Sequence, residues 1–86
     1  SLVEGTIRDA GTTLVLSGVA VSMQDTILVA QSDSTGAYAV ESGFGPFEEY
    51  LTFSNEGYVQ QRLWVPEVAT EVAPRRYRLD VALAQR

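Results

Sequence analysis

The 86-residue chain contains no cysteine, no histidine and no lysine. Without cysteine there is neither a disulfide framework nor a thiol nucleophile, and without histidine there is no imidazole base and no usual structural zinc site. Oxidising and reducing compartments both stay open. The six basic residues, all arginine, face eleven acidic ones, a formal charge of -5. Phosphate binding draws its affinity from clustered Lys and Arg, so the balance argues against nucleic acid, and the same sign disfavours anionic membrane surfaces. Long apolar runs are missing as well. The longest uncharged stretch, Ala10 to Gln24, is shorter than the roughly 20 apolar residues that span a bilayer, and Gly, Ser and Thr interrupt it, so no direct membrane insertion is expected. No basic flank followed by an apolar run opens the chain, and Ser1 is not an initiator. The expectation is an excised domain or mature fragment of a larger protein.

What is present points to one β-rich unit. With 45% hydrophobic and 20% charged residues, residues 1–86 suffice for a single domain of radius roughly 12 Å. A chain this short buries only about 60 to 65% of its unfolded surface, which commits most apolar residues to the core and leaves few for a deep pocket. Helical periodicity is scarce; short β-branched runs recur between turn residues instead. Val3, Gly5 and Ile7 alternate with Glu4, Thr6 and Arg8 in a first strand, and Val19, Val21 and Met23 alternate with Ala20, Ser22 and Gln24 in a second. Ile27 to Ser32 is apolar on both parities, as a central strand would be. Asp33-Ser34-Thr35-Gly36 reads as a type I turn with a left-handed residue closing a hairpin. Tyr38 and Val40 follow on one parity, before the irregular Ser42 to Pro46 loop.

Leu51 and Phe53 mark a fifth strand, ended by Asn55-Glu56-Gly57 with Gly57 at positive φ. From Val59 to Val65 the inward set is Val59, Gln61, Leu63 and Val65; Gln60, Arg62 and Trp64 face outward. Pro66 to Pro74 reads as a connection, with a course along a sheet edge as the alternative to a free loop, because its two prolines lack backbone donors. The final strand turns Tyr77, Leu79, Val81 and Leu83 inward. The fold class implied is all-β, a seven-stranded β-sandwich with Greek-key connections.

Four short motifs occur in series: Gly5-Thr6-Ile7-Arg8-Asp9, Leu16-Ser17-Gly18-Val19-Ala20-Val21, Ser32-Asp33-Ser34-Thr35-Gly36-Ala37-Tyr38, and Phe53-Ser54-Asn55-Glu56-Gly57-Tyr58. In order and spacing the series, from Val3 to Leu83, resembles the carboxypeptidase regulatory-like domain. Leu16 stands where Pro-Leu is usual, Ser32 replaces Thr, and the Gly43 to Glu49 loop looks longer than typical. The resemblance implies a transthyretin-like, prealbumin-type sandwich. Such domains are non-catalytic appendages beside some metallocarboxypeptidases and at the N-terminus of TonB-dependent outer-membrane receptors. It further implies a cell-envelope or extracellular location, no cofactor, and other domains of the same polypeptide or a protein as partner. Gly5, Asp9, Gly18, Asp33, Gly36, Gly57 and Tyr58 are its structural motif residues. Asp33 would cap its turn, and Tyr58 would bury its ring while its hydroxyl reaches a backbone partner.

Other chemistry is weighed against plainer roles. Glu48, Glu49 and Asp33 could supply an acid and a base for glycoside hydrolysis, but they read more simply as a solvated loop and a turn cap. Asp25 and Asp33 do not cluster as the alternating ligands of one calcium loop, and read as ordinary turn chemistry, with a weakly bound ion as the alternative. Arg75, Arg76 and Arg78 form the one basic cluster, to be paired with nearby carboxylates or with an acidic partner. Trp64 is the anomaly, a large ring on the polar parity beside Gln60 and Arg62. It is either covered by the Pro66 to Pro74 connection or part of a recognition surface for a protein or a glycan.

Overall fold

The computed structural model describes residues 1–86 except Asp25 and Phe44. Its longest strand, β1 (Leu2–Asp9), buries Val3, Gly5, Ile7 and Asp9 on one parity, so a single run of alternating residues furnishes the spine of a sheet. On one side β1 pairs antiparallel with β4 (Ala37–Glu41). On the other side its first half pairs in parallel with β8 (Arg76–Arg78) and its second half with β9 (Val81–Leu83). β7 (Thr70–Ala73) adds to β8, completing a five-stranded sheet. A second sheet has the order β3-β2-β5-β6, all antiparallel, from β2 (Ala20–Met23), β3 (Ile27–Gln31), β5 (Tyr50–Ser54) and β6 (Gln61–Trp64). The result is a two-sheet β-sandwich. It has nine strands among the described residues rather than seven, because the last expected strand is broken at Leu79-Asp80 and the Pro66 to Pro74 stretch holds more than a connection.

That stretch forms a single helical turn, α1 (Val65–Val68), and then β7. Pro66 sits at the start of α1, where a missing N–H costs nothing, and Pro74 falls in the β7–β8 turn. Two further expectations need correction. Ile27–Gln31 is not central but an edge strand, with Leu28 56% exposed; its apolarity on both parities reflects a bulge opposite Val21/Ser22. The run from Val59 also starts later, since β6 begins at Gln61 and Val59 is 49% exposed. Periodicity alone could not separate a strand from the extended segment leading into it.

The core lies between the sheets. Val3 and Ile7 of β1, Tyr38 and Val40 of β4 and Val81 and Leu83 of β9 meet Val21, Leu51 and Phe53 of the second sheet, with Val19, Phe47, Val65 and Leu79 supplied by connections. Tyr38 and Phe53 join the layers edge to face at 5.3 Å, a geometry that adds about 1 kcal/mol to the area the rings bury. Burial pushes the Tyr38 hydroxyl well above the usual tyrosine range, with the Asp80 charge adding to the effect. The hydroxyl donates to the Leu79 carbonyl at 2.6 Å.

Candidate interaction surface

Among the motif residues, Gly5, Gly36 and Asp9 sit where chain segments meet. A Cβ on Gly5 would lie 2.0 Å from the Leu79 carbonyl oxygen, because the Leu79-Asp80 step between β8 and β9 passes directly over it. There the Leu79 N–H donates to the Glu4 carbonyl and the Thr6 N–H to Asp80 Oδ1. Gly36 has φ 78°, and a Cβ there would meet the Ile7 carbonyl at 2.8 Å. Its N–H donates to the Asp33 carbonyl. Asp33 Oδ1 accepts from the Thr35 N–H and hydroxyl and from the Ala37 N–H, which hold its carboxyl below the usual range. The turn does not close a hairpin within one sheet, however. β3 pairs with β2 and β4 with β1, so Asp33 to Gly36 carries the chain across the sandwich. Gly18 and Gly57 lie at φ 73° and 84° in further turns.

Asp9, only 3% exposed, gathers three segments. Oδ1 accepts from the Gly11 and Thr12 N–H groups, and Oδ2 accepts from the Tyr58 hydroxyl and the Gln85 amide, both at 2.7 Å. The Gln85 and Tyr58 bonds, then the two N–H groups, hold the Asp9 carboxyl far below the usual range. The Asp9 bond in turn pushes the Tyr58 hydroxyl up. Tyr58 thus reaches a carboxylate, not the backbone partner expected. Single-sequence periodicity carries no sign of a contact 49 residues distant.

The expected outward triplet Gln60, Arg62 and Trp64 is resolved into two places. Arg62 and Trp64 lie on the outer face of the second sheet, and between them stands a residue the sequence reading passed over, Tyr50. The β5–β6 register sets Tyr50 directly across from Trp64. Their ring centroids are 4.8 Å apart and tilted by 51°, and the Arg62 guanidinium lies 3.7 Å over the Tyr50 ring. Trp64 is half-buried, neither bare nor sealed, and Tyr50 is 38% exposed. Tyr50 was legible in principle, since it shares the outward parity opposed to Leu51 and Phe53. Gln60 precedes β6 and lines a separate hollow with Tyr58 and Arg86.

Cross-strand pairing extends the face. Arg62, Thr52, Ser22 and Leu28 form one row over four strands, because directly paired antiparallel residues share a side of the sheet. In the strands of this sheet Arg62 is the only charged residue. The other sheet is laced with charge, including Glu4, Arg8, Glu41, Arg76 and Arg78. Two arginines of the expected basic cluster are paired there, Arg76 with Glu4 at 3.0 Å and Arg78 with Asp80 at 2.9 Å.

The remaining candidates are dispersed. Glu48 and Asp33 line different hollows, and Asp25 lies outside the described residues. Among the described residues no group of three or more acidic, His or Cys side chains is placed to hold a metal ion, and no helix is long and apolar enough to cross a membrane.

No protein-family model and no curated protein matches the chain. The fold is similar to that of a chain in a crystal structure of a type II cohesin–X-dockerin complex from Acetivibrio cellulolyticus, a C-terminal interface mutant. The TM-score is 0.65 at 17% identity, over 94% of this chain and 52% of that one. This chain therefore spans about half the length of that neighbour. Likeness at this identity establishes a shared fold.

Proposed function

We propose that the chain is a non-catalytic accessory β-sandwich module of the carboxypeptidase regulatory-like, transthyretin-like type. It belongs to a larger secreted or envelope-associated protein and makes protein contacts through the Tyr50-Arg62-Trp64 face. The observation that carries this reading is the contrast between the two outer faces. A sheet surface with one charge, two aromatic rings in contact and an exposed Leu28, on a molecule of formal charge -5, has the composition of an interface core. Tyr, Trp and Arg are the residues that dominate binding energy in such surfaces. That the structural neighbour comes from a protein–protein complex is consistent with this role.

The size of the face selects the kind of partner. Four strands about 4.8 Å apart and 4 to 5 residues long offer roughly 300 Å², well short of the ~800 Å² per side of a stable free complex. A surface this small suits a domain tethered in the same polypeptide, where linkage supplies the effective concentration. The test adds the purified module to the remainder of its parent protein and follows binding calorimetrically. The expected result is association weakened about tenfold or more by Tyr50→Ala combined with Arg62→Ala, with an unchanged circular dichroism spectrum. Saturable quenching of Trp64 fluorescence by an oligosaccharide, with no protein association, would replace this function with glycan binding.

A further inference from the structure

Sheet edges invite strand addition, and among the described residues most edges here carry a device against it. β3 is bulged opposite Val21/Ser22, and β7 loses register between Glu71 and Ala73. β6 is four residues long and runs straight into α1. β9 is three residues long, and the Gln61 amide donates to its Ala82 carbonyl at 2.6 Å.

β4 has no such device. It pairs with β1 in unbroken register over five residues, contains no proline, and presents the small side chains of Ala37 and Ala39 outward. The Ile7 N–H donates to the Gly36 carbonyl and the Ser42 N–H to the Ser1 carbonyl. Alternation along an antiparallel ladder then aims the main chain of Tyr38 and Val40 at β1, and that of Ala39 and Glu41 away from it. Ala37 spends its own main-chain groups on Asp33. Beyond the edge lies a hollow reaching to β3, lined by uncharged residues together with Glu4 and Asp33, and by no basic residue. Glu4 holds Arg76 with one oxygen, and Glu41 stands exposed at the end of the strand.

We propose that β4 is a strand-addition edge for an extended basic segment of a partner protein. The incoming backbone bonds to Ala39 and Glu41, its cationic side chains on the outward parity meet Glu41, and its apolar side chains on the other parity enter the hollow beside Tyr38 and Val29. A second copy is a poorer occupant. Its β4 brings no cation to answer Glu41, and the two molecules each carry a formal charge of -5.

The probe is the synthetic peptide acetyl-Thr-Arg-Val-Arg-Val-Arg-Thr-amide, with a counterpart in which Glu replaces Arg, and the readout is amide hydrogen exchange by NMR. The basic peptide is expected to slow the Ala39 and Glu41 amides by about tenfold or more while leaving β3, β6 and β7 unchanged, and the acidic peptide to do nothing. Ala39→Pro removes an N–H that points outward, a position where a strand tolerates proline, and should weaken the basic peptide by about tenfold with the spectrum of the fold retained. Glu41→Gln, which spares the backbone, should weaken it roughly threefold and flatten its salt dependence. Equal slowing by both peptides, slowing confined to another edge, no slowing at all, or peptide-independent dimerisation through β4 would each overturn the proposal.

Discussion

At Gly5 two strands that both pair with β1 are joined by a step with no room for a methyl group, since the nearest carbonyl oxygen would stand 2.0 Å from it. That oxygen is backbone and cannot swing aside as a side chain would. Gly5→Ala should therefore cost about 3 kcal/mol or more, at the upper end of overpacking penalties, read as a shift of the urea midpoint. Asp9 makes a different prediction. Its carboxyl titrates lower in the folded chain than the ~3.9 of an unfolded aspartate. The stability it contributes is thus complete above about pH 4 and is lost as the pH falls from there toward the folded pKa. The gap in urea midpoint between wild type and Asp9→Asn should be widest near neutrality and narrow toward about pH 2. Asp33 shifts in the same direction, so part of the acid sensitivity will survive in the variant. A gap independent of pH would show that the Asp9 charge contributes nothing.

At the scale of elements, the β5–β6 hairpin sets the candidate surface, because its register places Tyr50 on Trp64 and Arg62 on Tyr50. Tyr50→Ala should cost about 1 kcal/mol in stability and make the single tryptophan more accessible to acrylamide in a Stern–Volmer measurement. Unchanged quenching would mean that the ring contact does not shield Trp64 in solution. The strands β1, β2, β4 and β5 were legible because apolar and polar residues alternate along them, although Thr52 of β5 is itself buried between Leu51 and Phe53. β3 was misplaced because its bulge mixes the parities, and β7 was legible only as a connection along a sheet edge because its exposed residues carry no pattern. Phe47, fully buried from within an irregular segment, shows the same limit: a residue outside regular structure has no period to betray which way it points. Of the surface, Arg62 and Trp64 were readable from parity. Their meeting with Tyr50 depended on a hairpin register set by tertiary pairing.

Over the whole molecule, the two layers divide their labour. One outer face is solvated by paired charges, Arg76 with Glu4 and Arg78 with Asp80, and such exposed pairs add little stability but keep the face wet. The other outer face is nearly free of charge and offers aromatic rings. Its small area implies weak intrinsic affinity and a dependence on tethering, as the accessory role proposed above requires. Hydroxyl-radical footprinting tests this most directly, comparing side-chain oxidation in the isolated module with that in the intact parent protein. The expected result is a several-fold lower rate at Tyr50 and Trp64 in the parent, with Tyr58 unchanged as an internal reference. Equal rates at Tyr50 and Trp64 in the two preparations would contradict it.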